Sequence, residues 1–371
     1  MEEITIELGV ATYPLLVADS GIDATSRFIK EKYSGKRVLI ISDSIVWEEL
    51  GMKLLSNIEG DCSSEIYKLP GGKQNKTVAT VLEILARMEK SNFSRDSLVL
   101  GLGGGVVGDV AGFVASLWYR GCDLVHVPTT MLSMVDSCLG GKTAINFRQT
   151  INGLGTYYHP KAIVIGTDFV SSLPAREVSS GFGEIIKYAF LGSKSIRQTL
   201  NTFDFDLLKE DVGKISTLIT GSLMCKSSFV REDVYEGGQR LALNFGHTLG
   251  HALEMATVFE GRELLRHGEG VALGMRGVIE IGIAYYNADE KLLESLDIWC
   301  DKVGLPKTFD SSLCGMSASE LTALCMRLIW KDKKRQHDGL RLVMVSDYGK
   351  WSIEKTNDSE CLSYGYSKII R

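Results

Sequence analysis

Ser97-Leu98-Val99-Leu100-Gly101-Leu102-Gly103-Gly104-Gly105-Val106-Val107-Gly108-Asp109 is the stretch whose reading decides the fold. Its first five residues form a short apolar run of strand type. The run empties into a glycine cluster, Gly103-x-Gly105-x-x-Gly108, and apolar and small residues then continue through Ala111, Gly112, Phe113 and Ala115 as a buried helix. Glycines at such a turn let the backbone approach a pyrophosphate, and the helix N-terminus supplies amides and a partial positive charge. Tight strand–helix packing explains the glycines equally well, so the pattern alone leaves both readings open.

Working outward, the same rhythm repeats. Met1–Leu8 alternates as a first strand; Arg37–Ser42 is a β-branched run that exits at Asp43; Ser64–Lys68 is a further strand ahead of Leu69-Pro70-Gly71-Gly72. A helix is expected from near Thr77, with Val78, Val81, Leu82, Leu85 and Met88 on its apolar side. Leu124–Val127 is another strand, closed by Pro128-Thr129-Thr130. This alternation predicts a parallel sheet with helices on both faces. From Ser171 the character changes to long amphipathic segments, near 176–192, 206–230, 241–258, 267–288, 291–303 and 318–331. Only Leu340–Val345 reads as a strand there, paired with Lys350–Ile353. The domain boundary is placed near Thr167–Pro174, giving units of 1–170 and 171–371.

Bulk properties set limits on function. A chain of 371 residues accommodates two cores. The net charge of −5 gives no electrostatic reason to expect nucleic acid or an anionic membrane as partner. No apolar run approaches the length of a membrane span. The eight cysteines are scattered without a Cys-x-x-Cys pair, which fits a reducing cytoplasm.

Three clusters carry chemistry. Leu243-Asn244-Phe245-Gly246-His247-Thr248-Leu249-Gly250-His251-Ala252-Leu253-Glu254 puts two histidines on one helix face, about a turn apart. His267-Gly268-Glu269 follows, and Gly181–Tyr188 upstream offers Glu184 and Lys187 at i,i+3. A carboxylate with two imidazoles is a zinc site of the catalytic type, with one position left open. His251 and His267 both qualify as the third ligand, and spacing does not choose between them. The second cluster is Val135–Ala144, where Lys142 after two glycines is a point charge on a flexible loop, suited to an anionic or hydroxylated ligand. The third is a series of cations: Lys187, Lys226, Arg240 and the run Lys331-Asp332-Lys333-Lys334, although such runs are usually solvated faces.

Taken together, these stretches resemble the 3-dehydroquinate synthase family of sugar-phosphate cyclases. The matching segments are Gly103–Asp109, Arg120-Gly121, Val127–Thr130, Asp136–Thr143, Gly181–Tyr188, Asn244–Ala252, His267–Glu269 and Asp332–Lys334, in the family's order. The resemblance implies an α/β, Rossmann-like nucleotide-binding N-terminal domain and a mostly α-helical, metal-binding C-terminal domain. It implies Glu184, His247 and His267 as ligands of zinc, or of cobalt in its place, with His251 assigned to the substrate's phosphate. Asp136, Lys142, Asn152, Lys187 and Lys226 fall where the family contacts substrate hydroxyls. Arg240 matches a carboxylate contact, and Asn244 and Lys334 match phosphate contacts. For NAD the implied set is Asp43, Lys76, Gly104, Gly105, Val106, Asp109, Thr129, Thr130, Asp136 and Lys142. Arg120 matches an arginine that reaches into a neighbouring subunit's site, which implies a homodimer. The implied reaction converts DAHP, a seven-carbon keto-acid sugar phosphate, to 3-dehydroquinate and phosphate in the shikimate pathway.

Two departures bear on substrate and cofactor. Ile151 stands where the family carries a lysine, which removes one positive charge from the site. Lys73 stands where a glutamate is typical near a cofactor ribose, and a lysine there favours tolerance of a 2′-phosphate. The competing functions are a cyclase of a neutral sugar phosphate such as sedoheptulose 7-phosphate, a metal-dependent polyol dehydrogenase, and a non-catalytic binding protein. Arg240, Asn244 and His251 together favour the keto acid.

Overall fold

The computed structural model describes residues 1–148, 150–330 and 339–371. The chain forms two compact units, Met1–Leu173 and Pro174–Arg371.

Unit 1 contains strands β1 (Glu2–Glu7), β2 (Thr12–Ala18), β3 (Arg37–Asp43), β4 (Ser63–Leu69), β5 (Leu98–Gly103), β6 (Asp123–Pro128), β7 (Lys142–Phe147), β8 (Thr150–Tyr157) and β9 (Ala162–Gly166). Its helices are α1 (Gly21–Tyr33), α2 (Ser44–Val46), α3 (Met52–Ile58), α4 (Val78–Lys90), α5 (Gly105–Leu117) and α6 (Phe169–Ser172). Seven strands form one sheet in the order β1-β2-β9-β6-β5-β3-β4. Every neighbour pair is parallel except β1 with β2. The central strands β5 and β9 are buried along their whole length, which is why their sequences read as unbroken apolar runs. The strand order reverses between β3 and β5, so the crevice beyond their carboxyl ends, at Asp43 and Gly103, is where such sheets bind ligands.

The α4 helix starts where expected, with the Thr77 hydroxyl accepting from the Thr80 amide. Its buried side is Val81, Ile84 and Met88, whereas Leu82 is 60% exposed. Strands β2, β7, β8 and β9 were not read from the sequence. One consequence is a correction: Lys142 is not on a flexible loop but is the first residue of β7, paired with Tyr157 of the β7–β8 hairpin.

Unit 2 contains helices α7 (Ala175–Phe190), α8 (Lys194–Thr202), α9 (Val212–Glu232), α10 (His247–Ala256), α11 (His267–Tyr286), α12 (Lys291–Val303), α13 (Ala318–Ile329) and α14 (Ser359–Ser367). The expected hairpin is present as β12 (Leu340–Asp347) and β13 (Lys350–Thr356), and a two-residue ladder, β10 (Val258–Phe259) with β11 (Arg262–Glu263), was not foreseen. The expected single helix over 241–258 is not formed. Gln239–Asn244 is a 3-10 segment, and Gly246 at φ +80° separates it from α10. A Cβ at Gly246 would lie 2.6 Å from both Met275 Cγ and the Val271 carbonyl, so no side chain fits at this turn. Arg240 and Asn244 therefore stand on a separate element from the histidine helix. No helix of the described residues is long and apolar enough to cross a membrane.

Candidate active site

In unit 1, β5 ends at Gly103 and Gly104 takes the cap position of α5. A Cβ on Gly104 would meet Thr130 Cγ2 at 3.1 Å, and one on Gly105 would meet Ser137 Oγ at 3.2 Å. The glycines thus keep the first turn of α5, including Val106, open beside Thr130 and Ser137, with amides directed out of the helix N-terminus. The Thr129 amide donates to Gly103 O at 3.0 Å, and Thr130 Oγ1 lies 2.9 Å from Ser133 Oγ. Asp136 belongs to the π turn Ser133–Ser137. The Asp43 carboxylate caps α2 by accepting from the Val46 amide at 3.0 Å.

Lys76, Asp109 and Asn152 are brought together. The buried Lys76 ammonium ion-pairs with Asp109 and donates to Asn152 Oδ1 at 2.6 Å. Asn146, unremarked in the sequence, organises this corner. Its amide donates to Lys76 O at 2.8 Å, its Nδ2 to Lys73 O at 3.0 Å, and its Oδ1 accepts from the Asn152 amide at 3.0 Å. A lone asparagine gives no sequence signal for that role. Ile151, where the family carries a lysine, is 56% exposed; its sequence neighbour Asn152 accepts from Lys76, whose charge is paired with Asp109. Arg120 is exposed and left-handed, at φ +64°.

In unit 2 the three helices that carry the metal candidates meet glycine on glycine. A Cβ on Gly183 of α7 would lie 2.2 Å from Gly268 O, and one on Gly268 of α11 only 1.6 Å from Ser180 O. Likewise a Cβ on Gly250 of α10 would lie 2.5 Å from Gly270 O. Each of these glycines neighbours a candidate ligand or lies within a turn of one, so backbones at this distance bring the side chains to one point. His247 Nε2 and His267 Nε2 each lie 3.2 Å from Glu184 Oε1. Donor atoms of His247, His251 and His267 all fall within 4.8 Å of one another, so His251 shares the cluster.

The outer nitrogens are also engaged. His247 Nδ1 lies 3.2 Å from the Phe245 carbonyl, and His267 Nδ1 lies 3.1 Å from Glu254 Oε1. A carbonyl only accepts, so His247 Nδ1 carries the proton and its Nε2 presents a lone pair to Glu184. Burial holds the His247 imidazolium down, to about 4, against the pull of Glu184. Two acceptors then face each other at 3.2 Å, an arrangement that a cation between them makes attractive. The spacing also suits one, because donors on bonds of 2.0–2.1 Å in a tetrahedral site stand about 3.3 Å apart. This donor set fits a divalent ion. Burial also disfavours the charged form of His267, but the Glu254 charge and the hydrogen bonds to Glu184 and Glu254 outweigh it and push it up to about 10. Burial likewise works against the Glu184 carboxylate, yet the Lys187 charge and the hydrogen bond from His267 hold it well below the usual range.

The remaining candidates surround this nest or lie on adjoining elements. Lys187, 1% exposed, ion-pairs with Glu184 and stands 4.7 Å over the Tyr188 ring. Lys226 is buried on α9. Arg240 is 1% exposed, and its loop is tied by Asp233, whose carboxylate accepts from the amides of Gly237, Gly238 and Arg240 at 2.9, 2.7 and 3.1 Å. Asn244 Nδ2 donates to Glu236 Oε1 at 3.0 Å. Asp233 and Glu236 were missed; only their place just before Arg240 hinted at them. Lys334 lies outside the described residues.

Among solved structures this architecture is that of the dehydroquinate synthase-like cyclases. A 2-deoxy-scyllo-inosose synthase complexed with carbaglucose-6-phosphate, NAD+ and Co2+ matches with a TM-score of 0.86 and 23% identity, over 99% of this chain and 100% of that one. A 2-epi-5-epi-valiolone synthase from Streptomyces hygroscopicus subsp. jinggangensis with NAD+ and Zn2+ bound matches with a TM-score of 0.80 and 23% identity, over 96% of each chain. The 3-dehydroquinate synthase N-terminal family model matches residues 66–180, and its C-terminal counterpart matches 181–335. The 3-dehydroquinate synthase of Clostridium acetobutylicum is 32% identical over 376 residues, covering 100% of both chains. The chain belongs to the 3-dehydroquinate synthase family.

Proposed function

We propose that the chain converts DAHP to 3-dehydroquinate and phosphate, with NAD regenerated at each turnover and a divalent ion, zinc by preference, held by Glu184, His247 and His267. The observation that carries this reading is the convergence of that donor set on one carboxylate oxygen, in a unit that also buries the guanidinium of Arg240. Bound NAD would supply reversible hydride acceptance from a substrate carbinol, and the ion would supply polarisation of that carbinol's oxygen.

The chain's own residues do the rest. Arg240 holds the substrate carboxylate, its guanidinium kept in place by burial and by the Val234 carbonyl. His251, Asn244 and Lys334 take the phosphate. Lys187 pins the Glu184 carboxylate and, with Lys226, Asp136, Lys142 and Asn152, fixes the substrate hydroxyls. The α5 N-terminus with Gly104, Gly105 and Val106, together with Asp43, Lys76, Asp109, Thr129 and Thr130, binds the cofactor. Lys187, Lys226, Arg240 and Asn244 are buried and so held before substrate arrives, which suits successive oxidation, elimination, reduction and ring closure. We further propose a cytoplasmic homodimer in which Arg120 contributes to the partner's site; the eight free cysteines suit a reducing compartment. Sedimentation as a monomer at working concentration would contradict the dimer.

The decisive experiment incubates the purified chain with zinc, NAD and either DAHP or sedoheptulose 7-phosphate. Phosphate release from DAHP without net NADH formation is expected. Accumulating NADH would instead indicate a polyol dehydrogenase, and turnover of only the neutral sugar phosphate would indicate the other cyclase class.

A further inference from the structure

Glu254 has no place in the function proposed above, yet it is directed at the metal nest. On α10 it follows His247 and His251 at steps of four and three residues, so all three share one helix face. Its side chain is 16% exposed, and its two oxygens lie 3.1 and 3.4 Å from His267 Nδ1. The other ring nitrogen of His267 faces Glu184 Oε1 at 3.2 Å. Room for the carboxylate is made by Gly270, one turn along α11 from His267, where a Cβ would lie 2.6 Å from Glu254 Cγ. The partner of His247 is different in kind, a main-chain carbonyl at 3.2 Å.

We propose that Glu254 is a positioning residue that sets the metal affinity of the site through His267. A carboxylate on Nδ1 keeps the proton there, so the Nε2 lone pair is the one offered to the ion. It also fixes the ring plane and increases the ring's donor strength. Of the two imidazoles assigned to the metal, His267 has a carboxylate on its Nδ1, whereas His247 has a main-chain carbonyl there. Substitution of Glu254 therefore acts on metal retention before it acts on substrate. The inference rests on the reading of Glu184, His247 and His267 as metal ligands.

The test is zinc binding by the metal-free full-length chain, read by competition with a chromophoric chelator. It is paired with the visible spectrum of the cobalt-loaded chain and with melting of the metal-free chain. Glu254→Ala is expected to weaken zinc binding about 10–100-fold and to shift the cobalt bands. Glu254→Gln keeps the shape and an acceptor oxygen, and is expected to recover part of the loss. A wild-type chain that takes up no zinc overturns both the metal reading and this inference. A wild type that binds zinc, with Glu254→Ala and Glu254→Gln both within about two-fold of it, overturns this inference alone. A lowered melting temperature in the variants with unchanged affinity and cobalt spectrum marks a merely structural carboxylate and overturns it equally.

Discussion

Replacing Gly268 with alanine tests whether glycine-on-glycine packing is what assembles the metal donors. The added Cβ would stand 1.6 Å from Ser180 O and 2.6 Å from Ser180 C, both main-chain atoms of α7 that no rotamer change can move. Since real Cβ contacts essentially never fall below 3.0 Å, α7 and α11 must part locally by about 1.4 Å. Glu184 rides on α7 and His267 opens α11, so their present separation of 3.2 Å would grow towards roughly 4.6 Å. Two donors of one tetrahedral ion need about 3.3 Å, so the ion would lose one of them. Overpacking of this kind costs about 1–3 kcal/mol or more, which lowers the melting temperature by at least about 2–4 °C. Zinc content after gel filtration, zinc affinity and thermal melting would be compared with Gly237→Ala, where a Cβ meets nothing within 4 Å. A Gly268→Ala chain that melts with the wild type and holds zinc as tightly would refute the reasoning.

Zinc binding should release a proton. In the metal-free chain His267 is raised from 6.5 to about 10, so at a pH between those values it is charged and the ion must displace that proton. Calorimetry in buffers of different ionisation enthalpy reads the release, and a buffer-independent enthalpy would contradict it. The same shift fixes a stability trend. The contribution of His267 is complete below 6.5 and is lost as pH rises through about 10, so melts of the metal-free chain should weaken across that window. Arg240→Ala should cost about 2–5 kcal/mol of substrate binding, or roughly 30-fold upward in KM, because a buried charge loses its partner; unchanged turnover of DAHP would remove the case for a carboxylate substrate. With the exposed Lys73 on the turn after Gly72, NADP should support turnover, and its exclusion from the wild-type chain would contradict that reading.

Much of this protein was legible from residue order alone. The run Ser97–Asp109 specified strand, glycine turn and helix, because a doubly covered strand must be apolar throughout and a helix packed close behind it must be small. Three of the six histidines, clustered within about twenty residues, together with Glu184, marked the imidazole–carboxylate cluster that the structure brings together. Local pattern could not go further. Periodicity drew one helix over 241–258 because apolar spacing continues through Phe245 and Gly246; the break exists because Gly246 must let Met275 and the Val271 carbonyl of α11 come close. Lys142 read as a loop residue because two glycines precede it, yet pairing with Tyr157 makes it the start of a strand. Asn146 and Lys76 meeting at Asn152, Asp233 gathering the amides of Gly237, Gly238 and Arg240, and Glu254 reaching His267 are contacts between residues 4 to 76 positions apart, in three different local settings. Sequence names the donors and acceptors. Which of them meet is decided by how closely the helices and hairpins approach, and here glycines at the crossings set that distance.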